Sequence, residues 1–232
     1  MEVGKLANDV LEKIVINNIV NKREEVVVGS GLGEDNAILD LGGDLCVLST
    51  DPITGASQGL GRLAVNISCN DIAASGAEPI AILLTILAPR GTGPDEIELI
   101  IREVNQEAQR LNIEIAGGHT ELTDAVNRMV LTTTAIGRQT REGLPKKEGI
   151  RPGDRVLITK SIGLEGTAIL AGEREDFLLG RMSKEELEEA RALADQISVV
   201  KEGRILGQLG VGYMHDITEG GVLGALWEAG QA

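Results

Sequence analysis

Six acidic residues have neighbours that suit them to chemistry. They are Glu34 and Asp35 in "GEDNAI", Asp51 in "LSTDPITG", Asp71 in "CNDIAASG", Glu121 in "GGHTE" and Asp216 in "HDITEGG". Each follows an apolar run or lies beside glycines, at the end of an expected strand or helix. Magnesium takes a few carboxylates and completes its shell with water and phosphate oxygens, so converging acids of this kind suit a metal–nucleotide site. Singly, such residues are ordinary caps and turn formers. Asp71 resists that bland reading. It sits in the long apolar run "AVNISCNDIAASGAEPIAILLTILAP" with Asn66 and Asn70 at helical spacing, and burying an unpaired carboxylate and two amides is costly. Gly117-Gly118 and Gly220-Gly221 would let backbone approach a ligand closely.

Other site types fail on spacing. In "GSGLGED" the third glycine of a dinucleotide fingerprint would fall at position 34, which is Glu34, and a strand follows where a helix is needed. The chain contains no G-x-x-x-x-G-K-[ST] phosphate loop. Asn66-Ile67-Ser68 matches a glycosylation sequon inside an expected helix, where the match is accidental. Cys46 and Cys69 lie in apolar runs without metal spacing and read as reduced core thiols. A net charge of −14 and single Trp, Tyr and Phe residues argue against nucleic acid as a partner. No segment has the length and purity of a membrane span, and the acidic start does not look like a signal peptide. The expectation is a cytoplasmic protein that needs divalent cations to meet a phosphate ligand.

The elements that must position these residues follow from periodicity. Val3 to Val20 has helical spacing, "EEVVV" is a short strand, and "AILDLGGDLCVLSTD" is a hairpin around Gly42-Gly43-Asp44. Ser57 to Ser75 reads as helix and "EPIAILLTIL" as a buried strand. Pro94, Asp95 and Glu96 start a long helix. The strands "IEIAGG" and "RMVLTTTAIG" complete a mixed sheet covered by helices on one face. Polar residues 138–154 read as a linker or crossover, separating a domain at 1–140 from one at 150–232. In the second, "RVLITKS" reads as a strand, "IGLEGTAIL" as a glycine turn entering a helix, and Ser183 with Glu186 as a capping box. This α/β domain is short of strands, as if truncated or completed by a partner.

The ordered series "GEDNAIL", "STDPI", "NDIAASGAEP", "GGHTE", "TKSIGLEGTAIL" and "HDITEGG" resembles the AIR synthase (PurM-like) superfamily, nearest to its hydrogenase-maturation branch, HypE. The resemblance implies an N-terminal α/β domain whose four-stranded sheet joins a second copy's in a dimeric barrel. It implies ATP and Mg2+ along that interface and a small-molecule or peptide-borne substrate between the two domains, with a possible maturation partner. The shared chemistry would be ATP-dependent phosphorylation of an amide, thiocarbamoyl or similar oxygen. Carried over by motif, Asp35, Asp51, Asp71 and Glu121 would serve the metal. Gly33, Asn70, Gly117, Gly118, His119 and Thr120 would line the nucleotide site. His215 and Asp216 would be the catalytic pair facing the substrate, with the His215 imidazole removing a proton and Asp216 orienting it or holding a metal.

Two departures stand out. Where kinase and HypE members carry "GGDT", this chain has His119, and imidazole is a poor magnesium ligand. HypE proteins end in a cysteine, whereas this chain ends "EAGQA", and a member would be expected to run on by about another hundred residues, judged by ordinary domain sizes. The absence of Cys before "GEDN" disfavours selenophosphate synthetase, and the loop sequence disfavours AIR synthetase. Two alternatives stand beside the HypE-like reading: a non-catalytic nucleotide-binding dimer, and a small-molecule kinase of the thiamine-monophosphate kinase type. His215 and Asp216 have an alternative reading too, with Asp216 capping a helix near Thr218 and His215 exposed.

Overall fold

The computed structural model describes residues 8–32, 34, 36–143 and 150–231. Six strands rather than four form one sheet: β1 (Val26–Val28), β2 (Ala37–Asp40), β3 (Leu45–Ile53), β4 (Glu78–Pro89), β5 (Glu114–Thr123) and β6 (Val130–Gln139). Their order is β1-β2-β3-β6-β4-β5, and only the β4–β5 pair is parallel. The hairpin stands where the sequence puts it, with the Asp40 carboxylate accepting from Gly42 N–H at 3.0 Å and Gly42 at φ 89°.

Strand alternation gives the sheet two unlike faces. Val47, Ile82, Leu84, Ile86, Leu131 and Ala135 point inward and are buried. Helices α2 (Leu60–Ala74) and α3 (Pro94–Leu111) cover them, α2 contributing Leu63, Val65, Cys69 and Ile72, and α3 Ile100 and Val104. Leu83 projects from the opposite face and is 43% exposed, and Thr50 there bonds Thr134 at 3.0 Å. The first residues of the expected opening helix lie outside the described ones; within them α1 (Asn8–Ile14) is followed by a 3-10 turn at Ile16–Asn18.

The second half is helical in its described residues: α4 (Leu164–Glu173), α5 (Glu175–Leu178), α6 (Lys184–Ala192), α7 (Val200–Gln208) and α8 (Gly221–Ala229). The capping box at α6 is present, with Glu186 N–H donating to Ser183 Oγ at 3.2 Å and Ser183 N–H to the Glu186 carboxylate at 2.8 Å. The expected strand at "RVLITKS" is not formed. Those residues pair with no other strand among the described residues, and Val156 and Leu157 are 65% and 81% exposed. An isolated apolar run has no ladder to join, so propensity alone does not make it a strand.

The two halves share their packing. Ile197 and Val200 enter the same core as α2. At Gly203 an added Cβ would lie 2.2 Å from the Ala73 carbonyl oxygen, so α7 meets α2 backbone to backbone.

Candidate functional site

Asp51 and Ser49 lie two apart on β3 and share its inward face, and α2 brings Asp71 against them. Ser49 Oγ lies 2.5 Å from Asp71 Oδ2 and 3.3 Å from Asp51 Oδ2, so one hydroxyl sits between two carboxylates. One step past the Ala37–Leu48 pair, Asn36 falls opposite Ser49. Its Nδ2 donates to the Asp71 carbonyl oxygen at 2.8 Å, and its buried Oδ1 has no hydrogen-bond partner. Burial holds the Asp71 carboxyl well above the ordinary carboxylate range, reinforced by the Asp216 charge and by Asp51, while the Ser49 hydrogen bond opposes the shift. Burial, with Asp71 and Glu107 nearby, also pushes the Cys69 thiol up to about 12, which keeps it protonated and inert.

Asp216 comes from the second half, in the turn before α8. It is 8% exposed, and its Oδ1 is buried without a hydrogen-bond partner. His215 is not exposed. Its Nδ1 lies 2.5 Å from the Asp216 carbonyl oxygen and 3.6 Å from Asp216 Oδ1, and its Nε2 lies 2.8 Å from Glu228 Oε2 on α8. Nor does Asp216 cap the helix: α8 begins at Gly221 with Gly220 as its N-cap and no side-chain cap. Glu165, in the first turn of α4, is raised by burial and then by the charges of Glu219 and Asp216. Asp51 and Asp71 thus meet at Ser49, and the Asp216 charge from the second half acts on both Asp71 and Glu165.

Of the remaining sequence-expected residues, Gly33 and Asp35 lie outside the described residues, and the others stand elsewhere. Asn70 turns away from the carboxylates and spends both ends of its amide on the backbone at Ile197 and Val199. Asn66 bonds the Arg62 carbonyl oxygen at 3.0 Å within α2. Gly117, Gly118, His119, Thr120 and Glu121 lie on β5, where His119 Nε2 and Glu121 Oε2 are 3.2 Å apart and exposed. Asp51, Thr133, Leu84 and Gly118 are successive register partners across the sheet. Three strand spacings of about 4.8 Å therefore separate β5 from Asp51, roughly 14 Å. One chain does not bring Glu121 to the Asp71 group. Gly118 also has a structural reason to be glycine, since a Cβ there would fall 1.9 Å from the Leu84 carbonyl oxygen.

Among the described residues no three His, Cys, Asp or Glu side chains are grouped so as to hold a metal ion. The donor set nevertheless fits magnesium, which keeps several waters and needs only one or two protein carboxylates. The orphaned Asp216 oxygen and the mutual repulsion at Asp71 are what a cation would relieve. Ser49, Asn36, Glu165 and Glu228 were not singled out from the sequence. Ser49 had a signal, its place two residues before Asp51 on the same strand face; Glu228 had none, because only the fold brings it to His215.

Residues 33–139 match the family described as AIR synthase related protein, N-terminal domain, and residues 151–231 match the C-terminal domain of the same family. The chain belongs to the AIR synthase related family. A Methanocaldococcus jannaschii protein named for hydrogenase expression and formation is 28% identical over 97% of this chain and 66% of its own length. Carbamoyl dehydratase HypE of Bradyrhizobium diazoefficiens is 27% identical over 86% of this chain and 58% of its own. The chain thus spans under two thirds of the length of these curated relatives. Among solved structures, a HypE–HypF complex superposes with a TM-score of 0.72 at 22% identity, covering 95% of this chain and 69% of the other. Hydrogenase maturation protein HypE in complex with ATP superposes with a TM-score of 0.51 at 25% identity, covering 75% and 52%. The fold is PurM-like.

Proposed function

We propose that this chain binds ATP through magnesium held by Asp51 and Asp71, with the Asp216 charge nearby. With the nucleotide bound, it phosphorylates an amide, thiocarbamoyl or similar oxygen, as a HypE-like member of its family. The observation that carries this reading is the meeting of Asp51 and Asp71 at Ser49, with the charge of Asp216, whose buried Oδ1 makes no hydrogen bond, acting on Asp71 from the second half. A divalent cation supplies charge neutralisation between these acids and the phosphate oxygens. Asp35 is assigned to the same metal by its place in the family motif. His215, held between Asp216 and Glu228, orients the Asp216 turn toward the substrate side.

Gly117, His119, Thr120 and Glu121 belong to the nucleotide site only if a second copy brings its β5 near these carboxylates, so the reading includes a homodimer. HypE forms a complex with HypF, which supports a maturation protein as partner. A second reading, a nucleotide-binding module without catalysis, is favoured by one observation: His119 stands where related motifs carry Asp. Magnesium-dependent ADP release separates them. The proposed enzyme releases ADP with magnesium and faster with a carbamoylated or thiocarbamoylated acceptor, whereas the module binds ATP and releases none under any of these conditions.

A further inference from the structure

Asn70 and Asp71 are neighbours on α2 but face different parts of the molecule. Asn70 is 6% exposed, and its amide bridges to a three-residue segment of the second half. Its Nδ2 donates to the Ile197 carbonyl oxygen at 3.1 Å, and its Oδ1 accepts from Val199 N–H at 2.8 Å. The residue between them is gripped from the other side, since Lys160 Nζ donates to the Ser198 carbonyl oxygen and lies 3.2 Å from Glu202 Oε1. Lys160 holds this position at φ 59°, one of two described non-glycine residues with positive φ. A side chain in that region is strained and persists only where its surroundings enforce it. Beyond Lys160 the chain runs straight into α4 and Glu165, which is coupled to Asp216.

Resting on the proposed magnesium–nucleotide site, we propose that Asn70 is a positioning residue. With Lys160 it clamps the Ile197–Val199 segment and so sets the loop from Lys160 to Glu165 against the carboxylate group. Filling the site at Asp71 holds this end of α2 still, and the amide of Asn70 passes that order to residues 197–203. The nucleotide itself does not touch Asn70.

Hydrogen exchange on the whole chain tests this, with magnesium and a non-hydrolysable ATP analogue as probe. In wild type the analogue is expected to slow amide exchange over residues 197–203 about tenfold. Asn70→Ala is expected to bind the analogue within about threefold of wild type yet show no such slowing. Lys160→Asn tolerates the backbone angle but cannot reach Ser198 or Glu202; it should lose the slowing too, and it decides the matter if Asn70→Ala does not fold. Equal slowing in wild type and variants, or none in wild type with analogue bound, overturns the positioning role and leaves the nucleotide site standing. Failure of wild type to bind the analogue at all overturns both.

Discussion

At the scale of single residues, Asp71 carries the account. Its carboxyl prefers the proton in the fold, so without metal it costs stability as pH rises above the unfolded carboxylate value, about 4. The cost grows toward the raised folded value, with a slope approaching about 1.4 kcal/mol per pH unit for one proton. Asp71→Asn removes the charge and keeps an oxygen for Ser49. Metal-free Asp71→Asn should therefore be more stable than wild type at pH 8, with the gap closing toward pH 4. Urea denaturation across that range checks this, and a gap that is constant or reversed would show that Asp71 carries no such burden. The residue's importance was legible from one feature, an acid inside an apolar helix. Its surroundings were only partly so. Asp51 was visible, but Ser49 read as plain strand, and Asn70 looked like a ligand contact because its partners lie 127 and 129 positions away.

At the scale of elements, local pattern told most where each element buries one face. β6 alternates buried and half-buried residues along "VLTTTAIG", and α3 carries its start signals, with Glu96 accepting from Gly93 N–H at 3.0 Å. The "RVLITKS" segment has the same apolar composition but no pairing partner, which composition cannot reveal. The contact of α7 with α2 was equally hidden, because it rests on the absence of a side chain. Gly203→Ala would place a methyl 2.2 Å from the Ala73 carbonyl oxygen and should destabilise by about 1–3 kcal/mol. Gly166 in α4 has open space around its Cβ direction, so Gly166→Ala should be neutral or stabilise by up to about 1 kcal/mol. Equal effects in thermal or urea unfolding would mean that α7 is not seated on α2 at this distance.

At the scale of the whole molecule, among the described residues helices cover one face of the sheet only, and Ile80 and Leu83 are 42% and 43% exposed. The strands that leave this face open were legible in the sequence, and a second copy is the expected cover. Light scattering at micromolar concentration should report a dimer, and Leu83→Asp, which puts a charge on that open face, should give a monomer that still folds. A monomeric wild type would remove the reason for assigning His119 and Glu121 to the nucleotide site. The central claim is that the Asp51 and Asp71 carboxylates hold a nucleotide through a divalent cation, and calorimetric titration of ATP into the wild-type chain, with magnesium and then with excess chelator, tests it most directly. Binding with magnesium is expected, with its loss in chelator and at least about tenfold weaker magnesium-dependent binding by Asp71→Asn, equivalent to about 1.4 kcal/mol. Equal ATP affinity in magnesium and chelator, or an Asp71→Asn variant indistinguishable from wild type, would contradict it.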